Sequence, residues 1–127
     1  MILFVRAALF VAGMFFLIIG ASFLLDPAQA AAGFGMGADS TQGLSSIRAD
    51  MTAFFWVGGG GLLWGAWARN SDPLLMAAAL FAVAFVGRLV NLMQHGTYDG
   101  WWFAMAIEAV TTALALLASR VLPHRGL

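Results

Sequence analysis

Four apolar runs, each about 20 residues long and so able to cross roughly 30 Å of hydrocarbon as a helix, dominate this chain. They lie roughly at Phe4 to Leu25, Ile47 to Ala68, Pro73 to Gln94 and Gly100 to Ser119. A membrane-spanning backbone must satisfy its own hydrogen bonds, which leaves helices or closed barrels. Barrel strands alternate apolar and polar positions, whereas these runs are apolar throughout and rich in Ala, Leu and Phe. The expected fold is all-α: a polytopic membrane protein with four transmembrane helices in one antiparallel bundle. It forms a single domain over residues 1–127, with helices at 4–25, 47–68, 73–94 and 100–119 and a long outer loop at 26–46.

Composition agrees, since 62% of the residues are hydrophobic and 9% charged, with mean hydropathy +0.91. Those fractions lie far outside the range of soluble domains. Formal net charge is zero, and every basic residue is Arg. That excludes a nucleic-acid footprint. With no cysteine, the chain has neither disulfides nor thiolate metal sites. The partners that remain are membrane lipids, small molecules and other membrane helices, in a homo-oligomer or a larger membrane complex.

The beginning of the chain partly matches a secretory signal, with Arg6, an apolar region and the small-x-small pattern Ala28-Gln29-Ala30. Its apolar region, Ala7 to Leu25, is longer than a usual signal core, so it reads as a retained first helix.

Several charged residues have plain structural roles. Asp72-Pro73 reads as an N-cap with proline at the first helical position, and Asp99 as the N-cap of the last helix. Asp26-Pro27 ends the first helix, and Ser45 or Ser46 suits the cap of the second. Arg6, Arg69, Arg120 and Arg125 fall on one side and only Arg48 near the other, which places both termini in the cytoplasm. Tyr98, Trp101 and Trp102 then suit the outer interface, and Trp64 and Trp67 the inner one. The outer loop is expected as an irregular cover or a short interfacial helix with Phe34 and Met36 dipping inward.

Arg88 and Glu108 stay unexplained by such roles. Arg88 is expected about 10 Å below the outer surface and Glu108 about 12 Å, at matching depth on adjacent helices. An isolated charge in hydrocarbon costs at least a few kcal/mol, so both should face the interior and pair. Asn91 and His95 share a face with Arg88, and Thr111 and Thr112 follow Glu108 by three and four positions. On the second helix Arg48 and Asp50 point about 200° apart, so only one can join this cluster, and helical geometry leaves open which. Asp50 aligns with Phe54, Gly58, Gly61 and Gly65, and Arg48 with Thr52, Phe55 and Gly59. The run VGGGGLLWG is either a seam for close helix packing or a local unwinding that exposes carbonyls. The absence of a matching break elsewhere favours the seam.

The segments SSIRADMTAFFWVGGG, GRLVNL, YDGWW and AMAIEAV resemble the DUF4345 family of small, uncharacterised bacterial membrane proteins. The resemblance implies a four-helix membrane bundle and brings no established reaction, cofactor or substrate; the expected location is a bacterial inner membrane.

Three function classes follow. In the first, the polar cluster fixes helix register in an accessory or structural subunit of a membrane assembly. In the second, it is an anion or proton site of an oligomeric small-molecule or lipid-binding or transport protein. Tight packing beside Arg88 would favour the first, a gap the second. An enzyme is the third and weakest: no nucleophile elbow surrounds Ser22, Ser45 or Ser46, and no catalytic residue is assigned. His95 and Asp99 span a helix break, with His124 on the opposite side, so neither a metal nor a cofactor is expected. Methionines and phenylalanines read as bundle filling and lipid-facing surface.

Overall fold

The computed structural model describes residues 1–123, which form five α-helices and no strand. They are α1 (Ile2–Leu25), α2 (Pro27–Ala32), α3 (Thr41–Ala68), α4 (Ser71–His95) and α5 (Trp101–Val121). His124 and Arg125 lie outside the described residues. By length and composition three helices can cross a membrane: α1, α4 and α5. At 28 residues α3 is the longest, yet it does not join them. Its first turns, TQGLSSIRAD, are polar, and five glycines and three tryptophans dilute the rest. Large apolar side chains cover the outside, including Leu3, Phe4, Trp67 and Met93. A soluble monomer does not expose apolar surface on this scale.

The helix ends differ from expectation where a better cap lies nearby. Ser40, not Ser45 or Ser46, caps α3, its Oγ accepting from the Gly43 N–H at 3.0 Å. Asn70, not Asp72, caps α4 by accepting from the Asp72 N–H at 2.9 Å. Asp72 sits in the first turn, where a carboxylate still favours the helix dipole. Asp99 does not cap α5: Gly100 takes that position in the left-handed conformation, φ 77°, with no side-chain cap. Asp26 closes α1 as expected and also caps α2, with Pro27 at its first position.

Around the bundle the order is α1, α3, α4, α5, with close packing along the first three pairs and a thin seam where α5 meets α1. Across the middle, α1 and α4 meet through side chains, Phe16 against Phe81 at 4.6 Å between ring centroids. One end of the bundle carries α2 and the α4–α5 turn, here the loop end. The other holds Met1 and the α3–α4 turn, here the terminal end.

The two stripes of α3 serve two neighbours. Toward α1 run Arg48, whose Nε donates to the Leu24 carbonyl at 3.0 Å, and Thr52, whose hydroxyl donates to Gly20 O at 3.3 Å. Phe55 stacks on Phe16 and Phe23 in the same stripe, and Gly59 sits against Gly13. Toward α4 run Gly58 against Phe81, Gly61 against Pro73 and Gly65 against Leu74. The helix is continuous through all four glycines, so the run is a seam and not an unwound segment.

Three arginines tie helix ends together. Besides Arg48, Arg6 Nε donates to Ala66 O at 2.9 Å in the last turn of α3, and Arg69 Nε donates to the Leu122 carbonyl after α5. Each guanidinium meets carbonyls that a helix C-terminus leaves unpaired, at the negative end of the dipole. Arg6→Ala is expected to lower stability by about 1 to 2 kcal/mol, read as a lower midpoint of unfolding in mild detergent. An unchanged midpoint would mean that water serves those carbonyls equally well.

Packing is tightest at the terminal end, where Leu9, Leu62, Ala66, Leu74, Ala115, Ala118 and Leu122 are fully buried. Toward the loop end, α4 has no buried residue beyond Phe81. There the α1–α3 pair and the α4–α5 pair separate, and the functional candidates lie between them.

Candidate functional site

Arg88 and Glu108 meet across the α4–α5 seam. Arg88 Nε donates to both Glu108 oxygens, at 2.9 Å to Oε2 and 3.1 Å to Oε1. The carboxylate is nearly enclosed, 7% exposed, whereas the arginine side chain keeps 33%. Using only Nε is the informative detail. Arginine carries five N–H donors, and Nη1 and Nη2 find no acceptor among the described residues.

A cavity of about 580 Å³ adjoins the pair, within the range of small-molecule sites. Phe16 and Phe81 close its deep end, and Phe54 and Phe55 form the α3 wall. Phe34, following α2, lies over the top, its ring 5.3 Å from Phe23 and 5.7 Å from Phe55. The turn Tyr98-Asp99-Gly100 completes the cover. A second cavity of about 420 Å³ shares Arg88, Glu108, Phe54, Phe55 and Tyr98 with the first and extends past Met51, Gly87 and Asn91. The ion pair thus has open space on both sides.

Other members of the expected cluster lie elsewhere. Asn91 borders the second cavity from an exposed position, while His95 is exposed in the last turn of α4 and lines neither. Thr111 is buried one turn beyond Glu108, outside both cavities. Thr112 turns its hydroxyl back to the Glu108 main-chain carbonyl at 2.7 Å and leaves the carboxylate alone. Neither Arg48 nor Asp50 reaches the pair: Arg48 is held on the end of α1, and Asp50 is exposed in the early turns of α3. Both sit on α3, whereas the pair is formed by α4 and α5, and α3 barely touches α5.

The aromatic walls are what sequence reasoning missed. Phe16, Phe34, Phe54, Phe55, Phe81 and Phe103 were expected to fill the bundle or face lipid, yet all border the larger cavity. A usable signal was the pair Phe54-Phe55, which places one ring on each stripe of α3 at the level where polar residues enter α4 and α5.

The family model described as "Domain of unknown function (DUF4345)" matches residues 4–119. The chain belongs to the DUF4345 family. The match spans Arg48, Arg88, the YDGWW turn and Glu108, so the ion pair and both cavities belong to the DUF4345 region. Comparison with curated proteins and with solved structures finds no match.

Chemically, this DUF4345 site offers a neutralised charge pair, spare N–H donors on Arg88 and an aromatic enclosure. Among the described residues no three of His, Cys, Asp or Glu cluster as metal ligands would. Ser22, the candidate hydroxyl on α1, donates to the Ile19 carbonyl at 2.6 Å.

Proposed function

We propose that this chain is an integral protein of a bacterial inner membrane, with four spans and both termini in the cytoplasm, that binds a small membrane amphiphile beside the Arg88–Glu108 pair. The observation that carries the binding role is the 580 Å³ cavity, bounded by aromatic side chains and by a guanidinium with unused donors. A residue serving only helix register would be packed in, whereas the Arg88 side chain stays one-third exposed and borders both cavities.

Support for four spans comes from α3 itself. It lies along α1 from the Arg48–Leu24 contact at one end to the Arg6–Ala66 contact at the other. A helix joined to α1 over that length crosses wherever α1 crosses, whatever its mean hydropathy. Arg6, Arg69 and Arg120 at the terminal end against Arg48 at the loop end support cytoplasmic termini. The cavity then opens in the outer half of the membrane.

A structural-subunit or oligomeric role is the second reading. It is favoured by a groove of about 460 Å³ on the outer face of α3 and α4, bordered by Trp56, Gly60, Trp64 and Met76. Small residues let a partner helix come close, and nothing lies within 4 Å of where a Gly60 Cβ would stand.

Purification from native membranes in mild detergent separates the two. Mass spectrometry of the purified protein is expected to find one amphiphile retained in a fixed ratio to the chain. An empty protein that carries a second polypeptide in fixed ratio would overturn the binding role and leave the subunit role standing.

A further inference from the structure

The charges around the larger cavity restrict what can sit in it. Three formal charges line it: Arg88 at +1, Glu108 at −1 and Asp99 at −1, a sum of −1. An anionic head would meet an arginine already neutralised by Glu108 at 2.9 Å, with a second carboxylate, Asp99, at the mouth. A cationic head would face the guanidinium, while both oxygens of Glu108 are already engaged by Arg88 Nε. Either ion would also have to leave its hydration shell, which is costly at the enclosed end, where Arg88 and Glu108 already pair with each other and Asp99 is out of reach in the exposed turn at the mouth. What the enclosed part of the cavity has left is hydrogen-bond donors, on Nη1 and Nη2 of Arg88. The fitting group is an uncharged acceptor such as a carbonyl oxygen.

Shape adds a second restriction. Phe16, Phe54, Phe55 and Phe81 form a continuous array with ring centroids 4.6 to 5.9 Å apart, both stacked and edge-on. Rings at such spacings favour a flat conjugated guest that stacks or meets their edges.

Access is the third. The top is covered by Phe34 and the Tyr98–Gly100 turn, but the side between α1 and α5 is thin. There Phe15 is 46% and Phe103 59% exposed, and Ile19, Ala104 and Ile107 are partly exposed. A hydrocarbon tail can leave through that gap into the surrounding lipid while the head stays against Arg88.

From these three observations, and resting on the proposal that the cavity binds an amphiphile, we infer that the ligand is a neutral, flat, chain-bearing carbonyl compound of the prenylated-quinone class, held by Arg88 and admitted sideways between α1 and α5. The site supplies binding and orientation; no electron or proton transfer is assigned to it.

The test uses the full chain in nanodiscs of zwitterionic phospholipid and three probes that share a decyl chain: decylbenzoquinone, decanoate and decyltrimethylammonium. Equilibrium binding is expected to be saturable for the quinone and at least about tenfold tighter than for either ion. Ala104→Trp, on the half-exposed wall where folding is little affected, is expected to weaken quinone binding about tenfold by closing the side opening. The double variant Arg88→Met/Glu108→Met, which strands no charge and leaves no N–H donor on either side chain, is expected to weaken it comparably. Tighter binding of decanoate or of the ammonium probe would overturn the neutral-head inference and leave the amphiphile site intact. Quinone binding indifferent to Ala104→Trp would overturn sideways admission. Saturable binding of none of the three would bring down the amphiphile site itself.

Discussion

Replacing Arg88 by glutamine is expected to lower stability by about 3 to 5 kcal/mol, the usual loss when one partner of a buried ion pair is removed. Glu108 is then left with its carboxylate almost fully enclosed and no cation beside it. The reverse change, Glu108→Gln, should cost less, about 2 kcal/mol, because Arg88 is one-third exposed and its long side chain can carry the charge to a more polar level. The double variant should recover most of the larger loss, since two neutral amides strand nothing. Unfolding of the purified protein in a mixed-detergent titration measures all three. Equal losses for the two single variants would contradict the unequal exposure of the partners, and no loss in either would mean that the pair contributes nothing to holding α4 on α5.

That pair was the most legible part of the site. Two opposite charges on neighbouring helices, at matching depth, can escape hydrocarbon only by turning toward each other, and their spacing along the chain shows both the depth and the helices. The long helices were legible for the same reason, because an apolar run in lipid has no other backbone solution. Other features were hidden by physics that acts between elements. Whether Phe54 or Phe103 fills a core or lines a space depends on how far α4 and α5 stand from α1 and α3, and burial along α4 stops at Phe81 without any break in the apolar pattern. Arg48 and Asp50 could not be ranked because a helical wheel gives angles and not neighbours. Arg48 in fact meets a helix C-terminus, a competitor that sequence spacing does not reveal. The caps failed by a few residues where two polar candidates stood close together, as with Asn70 and Asp72.

The glycine run allows a sharper test, because its four members face different surroundings. A Cβ on Gly59 would stand 2.8 Å from the Gly13 carbonyl oxygen, 3.1 Å from Phe16 Cβ and 3.2 Å from the Leu17 backbone nitrogen. Two of these are main-chain atoms that cannot swing aside, so α1 and α3 must move apart. The same movement would loosen the Phe55 stack on Phe16 and the Trp56 hydrogen bond to Leu17 O. Gly59→Ala is therefore expected to cost about 2 to 3 kcal/mol, at the upper end for overpacking, and Gly59→Leu to prevent α1 from seating on α3. Gly60, one residue on, has nothing within 4 Å of its Cβ position. Gly60→Ala should be neutral or stabilise by up to about 1 kcal/mol through helix propensity. If the run were a hinge valued for its flexibility, both alanines would shift stability in the same direction. Opposite signs at adjacent positions require that the seam act through the distance between two backbones.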